Sequence, residues 1–394
     1  MEWLCACVSP GREAVPASAA FSAKPLDWAK FWALATNHHV IPLAYRALKA
    51  AAQQNRLLLP EEYRTCLQRQ CLAISAHNLR ATGILRRLQD LMASNGIQLV
   101  PIKGPALAVL AHGSTSLRQF EDLDLIVRRE DLLRAVDLLA GAGYLPREIP
   151  STANRARYVA SLQDWSLQKP GDLLHLDLKP VLISPALCRP DSAEFMAAAC
   201  RPLDLGEGHR LQAPGPEAML LAVCVDGANE MWGKLSSIAD VGALVAAWPG
   251  ADWTGLLAQA SRFGQKRSLM VGVQVANLLL ASPLPEAFRE AARKDPAARR
   301  LAHQAVARMR AGISLMTSTL MQSRFACQTR ERMRDRWRYV ARVLFVPGAM
   351  DLHQVALPDA CYPFYSLLRP VRLAWMAWQG GTRRISLVDG KTKA

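Results

Sequence analysis

The sequence predicts an α+β fold, a small mixed-sheet core flanked by helical N- and C-terminal segments. Three observations predict it. Helical periodicity dominates both ends of the chain. Between about residues 96 and 180, short β-rich runs alternate with brief helical ones. Gly or Pro separates most of the pieces.

The elements follow in order. Residues 1–25 read as a loose leader with Pro10, Gly11, Pro16 and Pro25. Residues 26–95 form a helical N-terminal segment. Its long last helix opens at Pro60-Glu61-Glu62, where proline takes the first position and acids face the positive end of the helix dipole. Asn95-Gly96 stops it. Residues 96–205 form the core. Ile97–Ile102 reads as a strand, Lys103-Gly104 as a break, Pro105–Ala111 as two helical turns closed by Gly113, and Ser114–Glu121 as a loop. Asp122–Val127 alternates as a strand, and Asp131–Ala140 is an amphipathic helix ended by Gly141 and Gly143. Trp165–Gln168 and Leu173–Leu178 form a hairpin about Pro170-Gly171-Asp172. Residues 216–346 form a helical domain, with helices at Glu217–Val225, Lys234–Ala247, Trp253–Ala260 and Ser268–Ala281 and an arginine-rich stretch over 286–345. Residues 347–394 form a basic and aromatic tail.

Composition narrows the function classes. With 394 residues and 51% apolar side chains, the chain is neither collagen-like nor disordered. Lys and Arg number 48 against 33 Asp and Glu, a net charge of +15. Residues 1–261 hold 25 basic and 25 acidic side chains; residues 262–394 hold 23 and 8, so the excess belongs to the last third. The nine cysteines are odd in number and lack a CxxC pair, which predicts reduced thiols in a cytoplasmic protein. Glu2 stands where a signal peptide would be basic, and no run of 18 apolar residues predicts a spanning helix.

Asp122-Leu123-Asp124 is the strongest chemical signal. In a strand, residues i and i+2 share a face, so both carboxylates project together while Leu123 and Leu125 pack behind. Like charges this close call for a cation, and Mg²⁺ is held by one or two carboxylates plus substrate phosphates. A solvated strand end gives the same pattern. Alternation also puts His175, Asp177 and Lys179 on one face of the later strand. If that strand lies beside Asp122–Val127, Asp177 completes a three-carboxylate cluster able to hold two metals about 4 Å apart. Lys103-Gly104 precedes a helix start, where glycine admits a close phosphate and the helix offers free N–H groups. Arg118 lies four residues before Asp122, positioned to grip a phosphate or to pair with the acids. His38, His39 and His112 lack metal-ligand spacing and read as ordinary helix residues.

This order of residues resembles the nucleotidyltransferase superfamily with the DNA polymerase β-like fold. More narrowly, it resembles the bacterial uncharacterised nucleotidyltransferase family. The matching stretches are Ile102-Lys103-Gly104-Pro105-Ala106-Leu107 through Arg118, and Asp122-Leu123-Asp124-Leu125-Ile126-Val127. Trp232-Gly233-Lys234-Leu235 with Asp240, and Tyr365 through Leu373, are similar to later family motifs. Two positions depart from the pattern. Lys179-Pro180 follows Asp177 where the family often has His-Trp, and Asp226 stands where it often has His.

The resemblance implies a Mg²⁺-dependent enzyme, with Mn²⁺ as a substitute metal, that moves a nucleoside monophosphate from an NTP to a hydroxyl or phosphate of a small-molecule or peptide acceptor. It assigns Asp122, Asp124 and Asp177 to catalysis and metal binding. Lys103, Gly104 and Arg118 would hold the triphosphate. Lys234 and Asp240 either face the nucleotide or form a salt-bridged helix surface. The alternative is a non-catalytic nucleotide-binding protein whose basic last third holds RNA or an anionic membrane surface. The run Arg330, Arg332, Arg334, Arg336 and Arg338 is either that polyanion site or a solvated helix face. The Trp375–Trp378 tail either lies on a membrane surface or packs back on the helical domain.

Overall fold

The computed structural model describes residues 1–10, 26–55, 57–146, 164–180, 182, 192–206, 210–313, 318–347, 351 and 357–375. Four helices come first: α1 (Glu2–Val8), α2 (Trp28–Asn37), α3 (Ile41–Gln53) and α4 (Glu61–Ala93). The chain start, expected as part of a loose leader, is therefore helical, and α1 buries Leu4, Cys5, Cys7 and Val8. Residues 11–25 lie outside the described residues.

The core follows as β1 (Val100–Pro101), α5 (Gly104–His112), β2 (Asp122–Ile126), α6 (Leu132–Gly141), β3 (Leu145–Pro146), β4 (Trp165–Gln168) and β5 (His175–Lys179). The sheet order is β1-β2-β5-β4-β3. Strands β2 and β5 run parallel, and the other neighbours are antiparallel. The expected strand over residues 97–102 shrinks to two residues. Val100 and Pro101 pair with Ile126 and Leu125, and Pro101 has no N–H to extend the ladder. Strand β5 starts two residues later than expected. The Leu174 N–H donates to Asp172 Oδ1 at 2.9 Å, which prolongs the turn.

Helix α7 (Ser192–Ala198) leads to a second sheet, the hairpin β6 (Cys200–Asp204) and β7 (Arg210–Pro214), which periodicity did not predict. Helices α8 (Pro216–Asn229), α9 (Leu235–Ala247), α10 (Trp253–Arg262), α11 (Lys266–Leu280), α12 (Glu286–Arg293), α13 (Pro296–Arg310), α14 (Thr319–Gln328) and α15 (Met333–Phe345) complete the helical region. Residues 365–375 are helical too. No helix among the described residues is long and apolar enough to cross a membrane.

Two hydrophobic clusters position the site. One packs Leu123, Leu125, Leu167, Leu176 and Leu178 of the sheet against α4 and α6. Strand alternation then leaves the opposite face of β2, β4 and β5 to polar side chains. The other cluster joins Ala106, Leu107 and Leu110 of α5 to α8, α9 and α11. The arginine run is not one solvated face. Arg330 is buried, its Nη2 donating to Ser268 Oγ at 3.4 Å, whereas Arg332, Arg334 and Arg338 are exposed. In the C-terminal helix, Arg369 and Arg372 both pair with the buried Asp351.

Candidate active site

The polar face of the sheet carries the predicted acids. The parallel register sets Asp122 beside His175 and Asp124 beside Asp177. Asp122 is exposed, while Asp124 is only 5% exposed. Lys103, the N-cap residue of α5, reaches over this face. Its Nζ lies 3.2 Å from Asp124 Oδ2 and 2.5 Å from Asp226 Oδ2 on α8. Gly104 turns the chain here with φ +55, and a Cβ would sit 3.2 Å from Leu123 Cδ2. Glycine is thus required by both conformation and space.

Lys179 supplies a second ammonium. Alternation along β5 places it on the Asp177 face, and its Nζ meets Asp124 Oδ1 at 2.5 Å. Both oxygens of Asp124 therefore carry a cation. Burial opposes the Asp124 carboxylate, but Lys103 and Lys179 outweigh it and hold it well below the ordinary range. Burial likewise opposes each ammonium, and Asp124 holds both above theirs with help from Asp226 at Lys103 and from Asp164 at Lys179.

Asp164 went unnoticed in the sequence because it precedes its strand. The β4–β5 pairing sets Trp165 opposite Leu178, so Asp164 stands level with Lys179. Burial lifts its carboxyl to about 6, partly offset by Lys179. Asp122 reaches solvent, but the cleft walls crowd its carboxyl; that desolvation and the Asp124 charge raise it, and burial and Asp226 raise Glu230.

A cleft opens beside this face between the α5 region and the helical region. Its walls include Lys103, Arg118, Asp122, Asp226, Glu230 and Lys234. Asp240 also lines it, but its carboxylate is taken: Arg118 Nε donates to Oδ2 at 2.9 Å and His112 Nε2 bonds Oδ1 at 2.8 Å. Burial opposes this charge, and Arg118 and His112 outweigh it, so its pKa is lowered. His112 is thus part of a buried network. The loop carrying Arg118 is held from behind, where Asn78 Nδ2 donates to the carbonyls of Thr115 and Arg118 at 2.7 Å. Arg118 Nη1 is buried without a hydrogen-bond partner among the described residues, a donor left over for an anion.

An unusual turn precedes Lys234. Met231 and Trp232 adopt φ of +54 and +57, unusual for residues with side chains. The Trp232 indole is wedged so tightly that a Cβ on Gly227 or Gly272 would fall 2.5 Å or 2.6 Å from it. Lys234 then caps α9. His38 and His39, expected inside a helix, lie beyond the end of α2 instead. His38 Nδ1 accepts from the Leu235 N–H at 3.3 Å, and burial pushes the imidazole down to about 4. His39 lines the cleft, and no spacing rule pointed to it.

The structure thus brings Lys103, Arg118, Asp122, Lys234 and Asp240 to one cleft and sets Gly104, Asp124 and Asp177 beside it. It does not gather Asp122, Asp124 and Asp177 about one point. No group of three His, Cys, Asp or Glu among the described residues is placed as a metal cage. The donor set still fits a hard cation. Asp122 and Asp177 form no ion pair among the described residues, and the carboxyls of Asp122, Asp164 and Glu230 are all raised, by burial first.

A small mixed sheet thus presents paired carboxylates beside a lysine at a helix start, with a cleft lined by side chains of both charges at its rim. Residues 24–281 match the family described as Uncharacterised nucleotidyltransferase, and the chain belongs to that family. The match spans the whole core and ends with α11. The C-terminal stretch that also resembles the family lies beyond it. No curated protein matches the chain.

Proposed function

We propose that this nucleotidyltransferase moves a nucleoside monophosphate from an NTP to a hydroxyl or phosphate of a small-molecule or peptide acceptor. The observation that carries this reading is the pairing of Asp124 with Asp177 beside the Lys103–Gly104 helix start. Lys103, the first N–H groups of α5, the spare Arg118 Nη1 and Lys234 are the triphosphate ligands. The cleft, about 130 Å³, is below the ~300–1,000 Å³ of pockets that enclose a whole ligand. It suits the phosphate chain, with the nucleoside outside it.

Asp122 and Asp177 are the residues to hold Mg²⁺. The metal would polarise the α-phosphate and balance the pyrophosphate charge. For an alcohol acceptor, the hydroxyl oxygen bonds to the α-phosphorus and its proton passes to an Asp177 oxygen. The bond from the α-phosphorus to the bridging oxygen breaks, and pyrophosphate leaves. Positioning and fixed charge provide most of the rate.

The test is calorimetric titration of the wild type and of Asp122→Ala with each NTP, with and without Mg²⁺. Asp122 is exposed and removable without opening the core. One NTP is expected to bind with Mg²⁺ and to bind at least tenfold more weakly to Asp122→Ala. No binding of any NTP, or equal binding by both proteins, overturns the reading.

A further inference from the structure

A two-metal centre holds its ions about 4 Å apart, a spacing that a carboxylate with one oxygen on each ion spans. On this sheet only Asp124 lies between the other two candidates, since Asp122 precedes it on β2 and Asp177 is its neighbour on β5. Both of its oxygens are already taken by side chains of this chain, Lys179 Nζ at 2.5 Å and Lys103 Nζ at 3.2 Å. Lys103 is shared with Asp226 and spans to the helical region. Lys179 belongs wholly to the sheet. It is 12% exposed, and acids flank it on both sides, Asp124 on β2 and Asp164 immediately before β4. Strand alternation and the parallel register fix it there, so it is a built part of the face and not a surface lysine.

We propose that Lys179 is a resident cation standing where one divalent ion of a two-metal pair would bind, so that the site takes a single divalent ion, on the Asp122–Asp177 side. The inference rests on the nucleotide reading above and specifies its metal requirement. A divalent ion on Asp124 would sit within a few ångströms of two ammonium groups, Lys179 on Oδ1 and Lys103 on Oδ2. Bringing +2 beside Lys179 and Lys103 adds like-charge repulsion where little water screens it. Lys179 then contributes a fixed charge that needs no metal concentration to fill it, and the acids around it keep it oriented.

Mn²⁺ counting by equilibrium dialysis tests this, with each of the four α,β-methylene ribonucleoside triphosphates as the non-reacting probe. The wild type should hold one Mn²⁺ per chain with the bound analogue, Lys179→Arg one, and Lys179→Met two. Two Mn²⁺ in the wild type with analogue bound overturns the inference and leaves the nucleotide reading standing. One Mn²⁺ in a folded Lys179→Met protein also overturns it. If the wild type takes up no analogue at all, the nucleotide reading fails and the inference with it. The wild-type count decides the matter even if Lys179→Met does not fold.

Discussion

Asp240 on α9 and Arg118 on the loop before β2 form a buried ion pair at 2.9 Å, joining the helical region to the loop that leads into the mixed sheet. The pair is separated by 122 residues of chain, and neither residue marks the other in the sequence. Asp240 was a candidate to face the nucleotide. Its partners make it a positioning residue that holds Arg118 by Nε while Nη1 stays unbonded.

Asp240→Ala should therefore cost about 3–5 kcal/mol, because it leaves the Arg118 charge buried and unpaired. Urea unfolding measures it. Adding Arg118→Met should recover part of the loss, since the two residues act as one unit.

The acids set two opposed pH dependences. Asp240 has a depressed folded-state pKa, so its contribution is present above the unfolded value near 4 and is lost as pH falls through the folded one. Asp164 is raised to about 6, so the folded state binds the extra proton. Stability from Asp164 is full below about pH 4 and declines as pH rises towards about 6, by up to roughly 3 kcal/mol. Asp164→Asn should flatten that decline when unfolding is followed across this range, while the acid limb from Asp240 remains.

Lys103→Met should weaken NTP binding by about 10- to 100-fold, the worth of a hydrogen bond to a charged group. Calorimetry reads it. The same variant leaves Asp226 without its 2.5 Å partner, so a fall in melting temperature should accompany the loss.

Gly104→Ala and Gly113→Ala separate backbone cost from function. Both glycines have positive φ, and each substitution should cost about 1–2 kcal/mol. At Gly113 nothing lies within 4 Å of the added Cβ, so NTP affinity should hold. At Gly104 the Cβ presses on Leu123 and shifts the start of α5, so NTP affinity should fall as well.

Gly272→Ala should destabilise by about 1–3 kcal/mol through overpacking against Trp232 and Cys224, as thermal unfolding would show. NTP affinity should drop with it, because Trp232 lies two residues before Lys234.

Much of the scaffold was legible along the chain. Pro60 with Glu61 and Glu62 marked the start of α4, and the alternation at Asp122-Leu123-Asp124 marked β2 and its two faces. These signals are local, because helix ends and strand faces depend on residues a few positions apart. The short β6–β7 hairpin was missed, since Pro202 and the charged Arg201, Asp204 and Arg210 interrupt any clear alternation there.

By itself, then, the sequence determined which carboxylates share a strand face, where a lysine meets a helix start, and that the fold is α+β. Tertiary structure alone decided the partners. It set the parallel register that puts Asp177 beside Asp124, turned Lys179 onto Asp124, brought Asp164 level with it, and gave Asp240 to Arg118 and His112. The physical reason is range. Alternation acts over two residues, whereas a buried charge is matched with whatever the packed core brings within a few ångströms, however distant along the chain.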